Sequence, residues 1–205
     1  MFITFEGPDG SGKTTQISLL ADFLREQSYP VLTTREPGGT PIGDQIRNCL
    51  HDVRNSGMAD ATEILLYSAS RAQLVRDVIL PALEAGAIVI CDRFFDSTIA
   101  YQGYGRGLSL DDLVYITRFA TGGLQPDLTF LLDMDVEAGI IRRTSGGDEM
   151  NRMDLQDAGF HRRVRDGYLQ MVASQPHRWV VVDADRPVHD VQATIRAEVR
   201  ERAGL

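Results

Sequence analysis

"FITFEGPDGSGKTT", residues 2–15, is a short apolar run followed by Gly7-Pro8-Asp9-Gly10-Ser11-Gly12-Lys13-Thr14, the spacing G-x-x-x-x-G-K-[ST]. The run 2–6 reads as a buried strand, and Ile17, Leu20, Ala21 and Leu24 recur at helical spacing over 13–27. A glycine loop between such elements turns its backbone N–H groups inward around phosphate oxygens, and the helix N-terminus adds its positive end. Gly7 to Thr15 are therefore the expected ATP-binding stretch. Lys13 reaches the β- and γ-phosphates, and Thr14 offers a hydroxyl to Mg²⁺. A glycine-rich turn without a ligand is the bland alternative. Asp9 raises a question, because a carboxylate inside a phosphate cradle should repel its guest.

Outward from this loop the chain alternates strand and helix. Strands are expected at 30–34, 87–92, 128–133 and 178–184, and helices at 41–53, 59–85, 109–121, 154–174 and 187–202, with Ser109 as an N-cap. Near-continuous apolar strands between helices predict an α/β fold with a five-stranded parallel sheet and helices on both faces. In such sheets ligands sit beyond the strand carboxyl ends. Glu6, Arg35, Asp92, Arg93 and Asp133 all follow apolar runs. The stretch 144–151 is polar and glycine-containing and reads as a loop.

Composition narrows the function. The 205 residues suit one large α/β domain. No apolar run approaches the length of a membrane span, and the phosphate motif starts too early to leave room for a signal peptide, so a cytoplasmic protein is expected. The net charge of −8 argues against a nucleic-acid polymer or a membrane surface as partner. Cys49 and Cys91 are expected to be buried apolar thiols, and the four histidines show no zinc-ligand spacing. The chain has 20 arginines but one lysine, Lys13, so that position calls for a compact ammonium. The same count rules out the guanine-reading N-K-x-D of regulatory GTPases. What remains is a small phosphotransferase with a second, acceptor substrate.

Acceptor candidates lie in the middle third. "TREPGGTPIGDQIR" (34–47) supplies Arg35 and Arg47 around a turn. "LLYSASRAQL" (65–74) puts Tyr67 and Arg71 at i and i+4, where a ring can stack on a base and a guanidinium can bond its edge. "CDRFFDSTIAYQGYGRG" (91–107) brings Asp92, Arg93, Ser97, Thr98, Tyr101 and Gln102 after the third strand. Each also has a structural reading: Tyr67 as a core aromatic, Arg71 as a solvated helix residue, Asp92-Arg93 as an ion pair.

F-E-G-P-D-G-S-G-K-T-T, T-R-E-P-G-G-T, the Y-S-A-S-R helix, D-R-F and A-Y-Q-G, in this order, resemble the thymidylate kinase (dTMP kinase) family. "VVVDADRP" resembles the family's last strand and adenine-side loop. The resemblance implies a P-loop NTPase fold of the nucleoside monophosphate kinase kind, transfer of the γ-phosphoryl group of ATP to dTMP with Mg²⁺, and a homodimer. It implies that Tyr67 stacks on thymine, where phenylalanine is more usual, and that Arg71 reads the thymine O4. Thr98 and Ser97 would meet the N3 edge, Tyr101 would crowd the sugar 2′ position, and Gln102 would line the same pocket. Arg93 would clamp the acceptor phosphate with Arg35 or Arg47, Pro37 would form a cis-proline turn after Glu36, and Asp92, with Glu6, would organise the magnesium shell. Asp9 would leave the cradle and face the acceptor sugar from its rim.

One departure matters. The family carries a catalytic arginine either just after the Asp9 position or in a lid. Here the first slot is Gly10, which implies the lid type, at about 142–152. The lid centre has no arginine, so Arg143 and Arg152 at its flanks are the candidates, with Arg142 as a solvated charge. A kinase for another nucleotide or nucleoside, and an ATP-binding regulatory module, are the competing readings.

Overall fold

A computed structural model describes residues 1–145 and 150–204. In chain order its elements are β1 (Phe2–Glu6), α1 (Lys13–Glu26), β2 (Val31–Arg35), α2 (Pro41–His51), α3 (Asp60–Leu74), α4 (Leu80–Glu84), β3 (Ile88–Asp92), α5 (Phe95–Thr98), α6 (Leu110–Thr121), β4 (Leu128–Asp133), α7 (Val136–Ser145), α8 (Ala158–Ser174), β5 (Trp179–Asp183) and α9 (Val188–Ala203). The five strands form one parallel sheet in the order β2-β3-β1-β4-β5. The central strand β1 is wholly buried, which is why its sequence runs apolar rather than alternating.

Alternate residues of β1 serve opposite faces. Ile3 and Phe5 pack with Ile17, Leu20 and Leu24 of α1 and Val191, Ile195 and Val199 of α9. On the other side Phe2 packs with Leu74, Ile79 and Phe94, while Leu131 joins Phe160, Val164 and Tyr168 of α8. Helices thus cover both faces as expected. The parallel register brings Glu6, Asp92 and Asp133 to the same end of the sheet.

Several boundaries differ from the sequence reading. The expected helix 59–85 is three pieces, because a π turn at Val75–Ile79 separates α3 from α4. A second π segment, Ile99–Gly105, continues α5 and carries Tyr101 and Gln102; π turns of this kind concentrate at functional sites. Helix α7 went unanticipated. Helix α8 begins at Ala158 rather than 154, where Asp157 accepts from Phe160 N at 2.8 Å as its N-cap. Ser109 caps α6 as expected, accepting from Asp112 N at 3.3 Å. Cys91 is buried, but Cys49 is exposed on the outer face of α2, so only one thiol belongs to the core.

Candidate active site

The loop from β1 to α1 lies at the carboxyl end of the central strand. Gly7 is there for close approach: a Cβ on it would sit 2.4 Å from the Leu132 carbonyl oxygen. Gly12 is there for its backbone: its φ of 85° is left-handed, and a Cβ would meet nothing within 4 Å. Helix α1 starts on Gly12 without a capping side chain, so its first-turn N–H groups are available to a ligand. Lys13 Nζ donates to Pro8 O at 2.8 Å and Gly7 O at 3.2 Å, which curls the loop around the ammonium. Burial, then Arg93, pulls the Lys13 pKa below its ordinary value. Thr14 Oγ1 donates to Asp92 Oδ2 at 3.3 Å. A hydroxyl and a carboxylate side by side are a hard-oxygen pair that fits Mg²⁺. Thr15, Arg47, Arg142 and Arg143 line the rest of this cleft.

A second cleft opens beside it, lined by Pro37, Tyr67, Arg71, Thr98, Tyr101 and Gln102, with Glu36, Arg93, Phe94 and Ser97 at its floor and walls. The Glu36–Pro37 peptide is cis. Arg71 is 1% exposed. Its Nε donates to Glu36 Oε2 at 2.8 Å and its Nη2 to Thr98 Oγ1 at 3.1 Å, whereas Nη1 has no hydrogen bond. A buried donor without a partner costs about 1–3 kcal/mol, so this cleft is built for an acceptor atom at that nitrogen. Burial pushes Glu36 up to about 7 despite Arg71 beside it, and pushes the Tyr67 phenol up to about 12.

Arg93 and Asp9 join the two clefts. Arg93 has a left-handed φ of 68°, a conformation costing a non-glycine residue about 1–2 kcal/mol. Its Nη2 donates to Asp9 Oδ1 at 2.9 Å and to Tyr101 OH at 3.2 Å; its Nη1 donates to Ser97 Oγ at 3.1 Å and to Tyr168 OH at 3.3 Å. Burial alone would raise Asp9, but Arg93 and Lys13 outweigh it and hold the carboxyl well below the usual carboxylate range. Asp9 therefore turns toward Arg93, on the rim between the clefts.

Several of the expected site residues are engaged by partners within the protein. Glu6 is wholly buried, accepting from Phe94 N at 2.8 Å, Ser97 Oγ at 2.6 Å and Tyr168 OH at 2.7 Å. Both of its oxygens accept hydrogen bonds from within the protein, and among the described residues none joins it to Thr14 or Asp92. Arg152 is buried too. It pairs with Glu63 and donates from Nε to Leu50 O at 3.1 Å, anchoring the chain to α2 and α3 rather than facing the phosphate loop. The buried carboxylate of Glu63, which also accepts from Gln102 and Arg106, demands this compensation. Arg35 is exposed and lies 3.5 Å from Asp44; Arg47, which donates to Pro37 O at 2.9 Å, is the arginine of that turn that lines the donor cleft. Arg143 also lines it, with Nη2 2.9 Å from Asp154 Oδ2. Arg142 is an exposed charge on α7, as expected, and donates to Ala184 O at 3.1 Å and Asp185 Oδ1 at 3.0 Å, on the loop after β5. Residues 146–149, the centre of the expected lid, lie outside the described residues.

Sequence reasoning missed Tyr168, Glu63 and His51. Tyr168 reads as an ordinary core aromatic of α8 and Glu63 as a first-turn helix acid. Nothing local tells otherwise, because their partners are distant in the chain.

A phosphate loop and a basic, aromatic acceptor cleft meeting over a parallel sheet define a P-loop phosphotransferase of the nucleoside monophosphate kinase class. The profile of the family described as Thymidylate kinase matches residues 5–195. The thymidylate kinase of Geotalea uraniireducens is 50% identical over 98% of this chain and 97% of its own. That of Deinococcus radiodurans is likewise 50% identical, over 98% and 97%. The crystal structure of thymidylate kinase from Ehrlichia chaffeensis superimposes with a TM-score of 0.81 at 36% identity, covering 97% of this chain and 98% of that one. The chain belongs to the thymidylate kinase family.

Proposed function

We propose that this enzyme transfers the γ-phosphoryl group of ATP to dTMP, yielding dTDP, in thymidine nucleotide biosynthesis. The observation that carries this reading is the hydrogen bond between Asp9 and Arg93, which places the phosphate loop and the acceptor cleft within one residue's reach of each other. ATP phosphates lie against Gly7 to Thr15, with Lys13 on the β- and γ-oxygens. Thr14 and Asp92 would hold Mg²⁺, which would neutralise charge on the donor phosphates. Tyr67 stacks on the thymine, the unpartnered Arg71 Nη1 bonds its O4, and Thr98 meets its N3 edge. Tyr101 fills the space that a ribose 2′-OH needs. Arg93 holds the acceptor phosphate in line with the transferring group, and Asp9 accepts from the sugar 3′-OH. The acceptor is already an anion, so positioning and positive charge suffice and no strong base is required. Arg143, which lines the donor cleft from α7, meets the transferring phosphoryl group. The whole chain works as one kinase domain, with 142–152 as a lid that excludes water.

A homodimer belongs to the same proposal. It is supported by Val114, Tyr115 and Phe119 of α6 and Leu65 of α3, which expose 56%, 76%, 84% and 59% of their surface. The two unpaired thiols fit a reducing, cytoplasmic compartment. No described helix is long and apolar enough to cross a membrane.

The test is ADP release with ATP and Mg²⁺ against dTMP, dUMP, ribo-TMP, dCMP, AMP and thymidine. Turnover confined to dTMP, with weaker dUMP and little ribo-TMP, is the expected result; the lost thymine methyl should cost dUMP about 1–3 kcal/mol. Fast turnover on a different monophosphate would overturn the acceptor assignment.

A further inference from the structure

Behind Arg93 lies a buried cluster that the proposed chemistry does not use: Glu6, Ser97 and Tyr168. Tyr168 OH donates to Glu6 Oε2 at 2.7 Å, and Ser97 Oγ donates to the same oxygen at 2.6 Å. Because both hydroxyl protons point to the carboxylate, both hydroxyl oxygens turn lone pairs toward Arg93, whose Nη1 donates to each. The same carboxylate takes Phe94 N, the amide that follows the left-handed Arg93. One buried acid thus sets both the backbone and the guanidinium of that arginine. Burial, then Glu6, pushes the Tyr168 phenol well above its ordinary value, so it stays a donor at any working pH.

We infer that Tyr168 is a positioning residue for the acceptor site: through Glu6 and Ser97 it presets the Arg93 guanidinium for the acceptor phosphate. This rests on the reading of Arg93 as the phosphate clamp. Holding Arg93 from behind through Nη1 means that its rotamer entropy is lost on folding rather than on binding. Tyr168 comes from α8, which follows the lid segment, so a residue far from the phosphate loop in sequence tunes the far side of the cleft.

The test is Tyr168→Phe in the full chain. The ring still packs edge-on against Tyr101 and Trp179, with centroids 6.5 and 6.3 Å away, while the hydroxyl is gone. KM for dTMP should rise about tenfold, the loss of one hydrogen bond to a charged group, with KM for ATP unchanged. Calorimetric affinity for thymidine, which has no phosphate, should stay within about twofold of wild type, since Arg93 has nothing to clamp there. Equal weakening of dTMP and thymidine, or an unchanged KM for dTMP, overturns the inference. Arg93→Met separates the two readings: if it leaves KM for dTMP unchanged, the clamp itself is wrong. Should Tyr168→Phe not fold, Ser97→Ala removes the other relay hydroxyl, and the same dTMP-specific loss is expected.

Discussion

The acceptor cleft is held by side chains bonded to one another; the phosphate loop of the donor cleft is held by backbone. Arg71 is bound to Glu36 and Thr98, Arg93 to Asp9, Ser97, Tyr101 and Tyr168, and Gln102 to Glu63. On the donor side Lys13 rests on the carbonyls of Gly7 and Pro8, and Thr14 is exposed beside Asp92. Each design fits its guest. A triphosphate offers many equivalent oxygens to a ring of N–H groups, whereas telling one base and sugar from another needs a fixed array of donors and acceptors.

The contrast predicts different failures on the two sides. Lys13→Ala should have the largest effect, lowering kcat on the order of 10³-fold while leaving the melting temperature near wild type, because its hydrogen bonds run to two loop carbonyls rather than into the core. A variant that loses stability as well would break the contrast. Arg71→Ala should do the opposite. It strands the buried Glu36 carboxylate, so stability should fall by about 3–5 kcal/mol in urea unfolding, together with a higher KM for dTMP. That loss should be largest at alkaline pH and shrink as pH falls toward 7: burial already lifts Glu36 from an ordinary 4.5 to about 7 against the pull of Arg71, and without Arg71 its pKa rises further, so the variant takes up the proton and sheds the stranded charge before wild type does.

The smallest effect belongs to His51, which lines the donor cleft beside Arg47. Burial, then Arg47, pushes it down to about 4 from an ordinary 6.5. Its folded pKa is lowered, so the unfolded chain binds the proton first. His51 therefore costs nothing above pH 6.5 and progressively destabilises the fold as pH falls toward 4. His51→Gln should flatten the melting-temperature profile over that window and leave it unchanged at pH 8. An identical slope in the variant would remove His51 from the account.

The same contrast governs what could be read from the sequence. The phosphate loop was legible because a local stretch makes it: glycines at fixed offsets, one lysine, a strand before and a helix after. The sheet was legible because β1, β3 and β4 are continuous apolar runs. The acceptor side was legible only in its residue types, through the resemblance that ordered Tyr67, Arg71 and Arg93. Its supporting shell was not. Glu6 sits next to the loop and reads as a metal-side acid, and its bonds to Tyr168 and Phe94, both far along the chain, leave no sign in the sequence. Arg152 reads as a lid arginine, and its pairing with the distant Glu63 is equally silent in the sequence. Buried ion pairs between distant segments leave no periodic trace. The π segment at Ile99–Gly105 likewise has no spacing signature.

The most direct measurement is calorimetric binding of dTMP alone, without ATP, to wild type, Lys13→Ala and Arg93→Ala. If the acceptor cleft is assembled by its own side chains, Lys13→Ala should bind dTMP within about threefold of wild type although it cannot turn over, and Arg93→Ala should lose at least about tenfold. Loss of dTMP binding in Lys13→Ala, with Arg93→Ala unaffected, would contradict the account.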